Sequence, residues 1–178
     1  MSRFLDTWMP WLADLLELGG PILTLILAIA LLIWFLIFRR FYYQRLIYPH
    51  VLDRARESWS RRGERTSWFA QQHRDDIVST LGEGLAAGDT LIGTLIKVCP
   101  LLGLLGTVLG MLEVFDALAA TGSNNPRSMA AGVSKATVST LAGMVVAIVG
   151  LLANTVVDRR ANAERERLGN YFESVQEA

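Results

Sequence analysis

Apolar residues gather in three long runs, and polar residues fill the gaps between them. The first run, Pro21 to Phe38, is interrupted only by Thr24 and closed by Arg39 and Arg40. The second extends from about Val98 to Ala119, with Lys97 at its start and Glu113 and Asp116 near its end. The third, Ala136 to Val157, is stopped by Asp158, Arg159 and Arg160. A helix needs about 20 apolar residues to cross a hydrocarbon core of roughly 30 Å, so all three runs are long enough to span a membrane. The pattern predicts an all-α integral membrane protein with three transmembrane helices.

The second and third runs differ from the first in carrying stripes of small and hydroxylated residues. Gly103, Gly106, Thr107 and Gly110 form one stripe; Ala136, Thr140, Gly143, Ala147, Gly150 and Asn154 form the other. At the helical period the second stripe falls within an arc of about 80°, and the first, extended to Val114 and Ala117, within about 100°. Small residues forgo lipid contact and let backbones approach closely, so Gly103, Gly106, Gly110, Ala136, Gly143, Ala147, Gly150 and Asn154 are expected at helix–helix contacts.

Between the runs the polar segments read as helical too. Ile77, Val78, Leu81 and Leu85 recur at helical spacing. The mixed charges around Arg54, Arg56, Arg61, Arg62 and Arg65 read as a solvated face, with a docking surface or anionic-lipid contact as the functional version. The tail around Glu164 to Arg167 reads as helical and solvated. In residues 1–20, Phe4, Leu5, Trp8, Trp11, Leu12, Leu15 and Leu16 make the apolar face of a short interfacial helix. Thr121 to Pro126 is the clear turn cluster.

Charge sets the orientation. Residues 1–20 contain only Arg3, whereas 39–97 contain ten Lys and Arg residues. The connection contains Arg127 and Lys135, and the tail Arg159, Arg160, Arg165 and Arg167. The positive-inside rule places the N-terminus outside and both 39–97 and the C-terminus inside. The expected organisation is an outer amphipathic helix (1–20), first span (21–38), cytoplasmic helical segment (39–97), second span (98–119), outer connection (120–135), third span (136–157) and cytoplasmic tail (158–178). The acidic residues Asp6, Asp14 and Glu17 before the first run argue against a cleaved signal peptide.

Composition narrows the chemistry. The chain is 52% hydrophobic with zero formal net charge, which suggests no nucleic-acid partner. One cysteine excludes a disulfide framework, no metal-ligand spacing occurs, and no nucleophile and base are set together. No cofactor, metal site or enzyme activity is expected.

Depth brings the polar residues into relation. Glu113 and Lys135 each sit roughly 9 Å from a helix end, and Thr107 and Thr140 lie five or six residues deeper. The two threonines should share one level and the two charges another. Glu113 and Lys135 either pair, because an unpaired charge there is costly, or snorkel separately to the outer headgroups. The threonine hydroxyls exchange hydrogen bonds but do not become charged, and no carboxylate lies within 98–112 or 136–157. If protons cross here, the titrating acid comes from another polypeptide.

Cys99-Pro-Leu-Leu-Gly-Leu-Leu-Gly-Thr-Val-Leu-Gly-Met-Leu-Glu-Val-Phe115 resembles the second-span signature of the ExbB/TolQ/MotA proton-channel family. Gly132-Val-Ser-Lys-Ala-Thr-Val-Ser-Thr-Leu-Ala-Gly-Met-Val-Val-Ala147 resembles its third-span signature. Three spans and a short chain are most similar to the ExbB of second-type TonB systems. The resemblance implies a homopentamer around a central pore in the bacterial inner membrane, threaded by a single-span ExbD-like partner carrying a membrane Asp. It implies proton flow past the partner's Asp and the pore threonines Thr107 and Thr140, driving a TonB-like protein that serves outer-membrane transport. Glu113 and Lys135 would stand as pore-mouth charges. The position of Lys135 is usually Glu in the family, so that residue's usual role does not carry over. A passive scaffold of the same fold and a TolQ-like subunit for envelope integrity are the alternatives.

Overall fold

The structure, a computed structural model, describes residues 10–61, 67–121 and 126–177, and all its described regular structure is helical. α1 runs Pro10–Tyr42, a π-helical turn follows at Tyr43–Ile47, and α2 runs Tyr48–Ser60. α3 spans Trp68–Ala86, α4 Asp89–Thr121 and α5 Pro126–Glu177. Three of the helical stretches are long and apolar enough to cross a membrane. Phe4, Leu5 and Trp8 of the expected interfacial helix, Arg62 and Arg65, and residues 122–125 of the expected turn lie outside the described residues.

Two glycines mark breaks. Gly20 has φ +63° and ψ −161°, which interrupts α1 immediately before Pro21. An L side chain at this φ is strained, and the following proline has no N–H to continue the backbone ladder. Gly88, at φ +87°, ends the run between α3 and α4. α5 begins at Pro126, the last residue of the expected turn cluster; proline suits a first turn because its missing N–H would be unpaired there.

The chain divides into two compact units. The first combines residues 1–34 and 93–151; the second combines 35–92 and 152–178. In the first unit the buried side chains are few and small or aliphatic: Leu23, Ile26, Ile33, Ile96, Cys99, Val114 and Ala136. Large apolar residues such as Leu31, Leu104, Phe115, Leu141 and Ile148 face outward. That is the pattern of helices whose outer surfaces need lipid or protein contact rather than water.

The second unit has a denser core. Tyr48, Trp59, Leu81, Leu85, Ala161 and Leu168 form one buried cluster, with Val51, Leu52, Ala55, Ile77 and Val78 packed on it. The tail is therefore not simply solvated: Ala161 and Leu168 of α5 enter a core with α2 and α3. Arg165 also reaches across from α5 to donate Nε to the Gly82 carbonyl at 3.0 Å, and its Nη2 donates to the same oxygen. Arg56 likewise departs from a solvated face, lying 4.7 Å above the Tyr171 ring.

Candidate functional site

In the first unit, α4 and α5 run antiparallel and meet along the small residues. A Cβ on Gly143 would stand 2.6 Å from the Cys99 carbonyl oxygen, and one on Gly110 would stand 2.8 Å from the Ala136 Cβ. A Cβ on Gly103 would meet the Thr140 Cα at 3.1 Å. The neighbours are largely backbone or Cβ atoms, which cannot swing aside as a flexible side chain does. Gly150 closes the contact line against Ile96 and Ile33. Ala147 is half-buried.

The hydroxyls follow this close approach. Thr140 donates Oγ1 to the Gly103 carbonyl across the helix pair at 3.0 Å, and to its own-helix Ala136 carbonyl at 3.3 Å. Thr107 donates to the Leu104 carbonyl of its own helix at 2.6 Å. Both threonines are half-buried. With Ala136 beside Gly110 and Thr140 beside Gly103, Thr107 and Thr140 lie within a helical turn of the same level.

Ser139 is the residue that the stripes miss. It is 1% exposed and donates Oγ to the Gly19 carbonyl at 3.1 Å and to the Lys135 carbonyl at 3.0 Å. A Cβ on Gly106 would collide with its side chain. Ser139 thus gives a donor to a carbonyl beside the break at Gly20. The break itself was the available signal: a Gly-Gly-Pro sequence at an apolar run leaves backbone groups seeking partners.

The two charges meet within one chain. Lys135 Nζ lies 2.8 and 2.7 Å from the two Glu113 carboxylate oxygens. The lysine stem passes over Gly20, where a Cβ would strike Cε. Glu113, Lys135, Asp116, Ser139 and the backbone at Gly19 and Gly106 line a hollow of about 270 Å³. At roughly 30 Å³ per molecule, it has space and polar partners for several waters.

Asn154, the last member of the α5 stripe, makes its helix–helix contact through polar groups rather than close backbone approach. It sits in the second unit, buried at 7% exposure, where its amide donates to Asp89 at 3.1 Å and Asp158 at 2.8 Å. Arg40 joins them. Its guanidinium, 6% exposed, lies 3.1 Å from Asp89 and 2.5 Å from Asp158, and it donates to the Leu85 carbonyl and to Asn154 Oδ1. The hydrogen bond from Asn154 is the main cause holding the Asp89 carboxyl below its ordinary range. Burial pushes Asp158 upward against the pull of Arg40. Helix-period reasoning reads Arg40 as the end of an apolar run and gives no sign that two distant acids converge on it.

The comparisons with known proteins decide the family. The sequence profile of the MotA/TolQ/ExbB proton channel family matches residues 50–170, more than half of the chain. The chain belongs to this family. It is 50% identical over 60 residues to the biopolymer transport protein exbB1 of Vibrio cholerae, covering 33% of this chain and 25% of that one. It is 28% identical over 98 residues to ExbB of Salmonella typhimurium, covering 55% and 40%. It is 30% identical over 82 residues to the Tol-Pal system protein TolQ of Haemophilus influenzae, covering 46% and 36%. The match spans well under half of each relative's own length. Family membership and the three apolar helices make the chain a membrane protein associated with transport.

Proposed function

We propose that this chain is the ExbB-like subunit of a proton-motive-force-driven motor in the bacterial inner membrane. Five copies surround a central pore, with the N-terminus in the periplasm and the C-terminus in the cytoplasm. A single-span ExbD-like partner brings the titrating Asp, and the assembly energises a TonB-like protein for outer-membrane transport. The observation that carries this reading is Thr140. Its hydroxyl is held by the Gly103 carbonyl across α4 and α5, within a turn of Thr107, in two apolar stretches, 98–112 and 136–157, that contain no carboxylate of their own. Such hydroxyls relay or hydrate a proton but need another chain's acid to bind it. Glu113 neutralises Lys135 in the same hollow, so a cation in place of the family's usual Glu does not leave net positive charge at the mouth.

Replacing Thr107 and Thr140 together by Val keeps shape and removes both hydroxyls. The expected result is loss of energised transport, with the purified complex unchanged in size and composition. Undiminished transport in the double variant would favour a passive scaffold. The similarity to a TolQ supports a second reading, a subunit serving envelope integrity. The two are separated by which defect a deletion strain shows: loss of TonB-type uptake, or leakage of periplasmic contents.

A further inference from the structure

The second unit carries a cleft that ion conduction does not use. Gln44 and Arg45 of the π-helical turn Tyr43–Ile47, with Tyr48 and Leu52 of α2, form one wall, and residues around Arg160 and Arg167 of α5 form the other, enclosing about 440 Å³. π-turns are rare, arise as single-turn insertions and cluster at functional sites. This one presents Gln44 and Arg45 to the cleft. Three arginines, Arg45, Arg160 and Arg167, line it against one acid, Glu164, which is already 3.0 Å from Arg167. Among the described residues Arg45 and Arg160 have no carboxylate partner; Arg160 lies 5.5 Å above the Phe41 ring.

Two buried polar atoms in the same wall also lack partners. Tyr48 is 3% exposed and its hydroxyl makes no hydrogen bond, and the Gln44 Oε1 is likewise unpaired. Buried polar atoms are normally satisfied, so each of these points to a missing ligand group. Burial above all pushes the Tyr48 phenol up to about 12, so it remains an O–H donor. Gln44 Oε1 can only accept. The ligand therefore needs both an anionic acceptor and a hydroxyl donor.

Beside the cleft, and sharing Phe41 with it, lies a second hollow of about 430 Å³ walled by Phe35, Phe38, Tyr42 and Leu46. Those four side chains are exposed. The cleft follows directly on the apolar run that ends at Phe38, which puts it at headgroup depth. A cationic slot joined to an aromatic one at this depth has the chemistry of a phospholipid: phosphate on the arginines, acyl chain along the rings.

We propose that the Arg45–Tyr48–Arg160 cleft binds an anionic glycerophospholipid with a hydroxylated headgroup, the phosphate on the two arginines and the Tyr48 hydroxyl. The headgroup hydroxyl donates to Gln44 Oε1, and an acyl chain lies against Phe38 and Phe41. The site needs membrane insertion, not ion flow, so it stands apart from the motor reading.

The test is lipid retention by the full-length protein in detergent, measured by native mass spectrometry. The probes are phosphatidylglycerol, phosphatidylcholine and inorganic phosphate. Phosphatidylglycerol should be retained in preference to phosphatidylcholine, and inorganic phosphate should not displace it. Replacing both Arg45 and Arg160 by Gln should weaken retention about tenfold. Tyr48→Phe, which keeps the ring and so the core, should weaken it several-fold even if the double variant fails to fold. Arg159→Gln, on an exposed side chain outside the cleft, should match the unaltered protein. Equal retention of the two lipids, displacement by inorganic phosphate, or undiminished retention in Tyr48→Phe would each overturn the proposal.

Discussion

The two units solve the same problem, packing helix against helix, by opposite means. In the first, backbones approach over Gly103, Gly110 and Gly143, and the large apolar side chains Leu104, Leu141 and Ile148 point away. In the second, large side chains point inward, Tyr48, Trp59, Leu81 and Leu85 among them, and arginines tie helices to backbone carbonyls. The difference follows from the solvent each unit meets. Lipid tails are as apolar as leucine, so burying leucine there gains little, and close van der Waals contact and interhelical hydrogen bonds take over. Against water, burial of aromatic and aliphatic surface is the dominant favourable term.

The hardest blow to this contrast should fall at Gly143. Its Cβ position faces a backbone carbonyl oxygen at 2.6 Å, which no rotamer change can relieve. Gly143→Leu should cost roughly 4 kcal/mol or more and break the α4–α5 contact. Thermal unfolding of the solubilised protein checks it. If melting is unchanged, close approach is not what holds the first unit together.

Among the described residues, each unit also has one cation that pairs with acids distant in the chain, and the two should not be equal. Arg40 is 6% exposed and holds two acids, a carbonyl and Asn154. Lys135 is 26% exposed and holds Glu113, itself 54% exposed. Arg40→Met should cost about 3 kcal/mol, because it leaves Asp89 and Asp158 facing one another without a cation. Lys135→Met should cost less than about 1 kcal/mol, as expected of a solvated pair. Both are read from melting in parallel. A larger loss at Lys135 would mean that its pair lies in a drier setting than its exposure indicates.

The first unit was more legible in the sequence than the second, for a physical reason. Small residues at helical spacing in an apolar run have few uses other than contact, so Gly103, Gly110, Ala136 and Gly143 announced themselves. Depth along two helices whose direction the charges indicated brought Glu113 and Lys135 to one level, but only the fold shows that they pair rather than snorkel separately. Ser139 stayed hidden because its partner, the Gly19 carbonyl, lies 120 residues away on a helix whose break at Gly20 no periodicity reveals. Arg40, Asp89 and Asp158 were hidden likewise. Charges flanking apolar runs are common, and only the fold shows which of them converge. The lipid-sized cleft depends on a π-turn, which one inserted residue creates without altering hydrophobic pattern.

The smallest effect is also the sharpest internal control. Gly169 of α5 has no atom within 4 Å of the position a Cβ would take. It lies in the second unit, at an open position where its lack of a side chain serves no packing. In an open helical position alanine is favoured over glycine by up to about 1 kcal/mol, because glycine loses more backbone freedom on folding. Gly169→Ala should therefore raise the melting temperature by about 2–4 °C. Opposite signs at Gly169 and Gly143 would show that the stripe glycines are kept for distance between helices, against their own helix propensity. A loss of stability at Gly169 would place an unseen contact there, such as a neighbouring copy of the chain, and would extend close packing into the second unit.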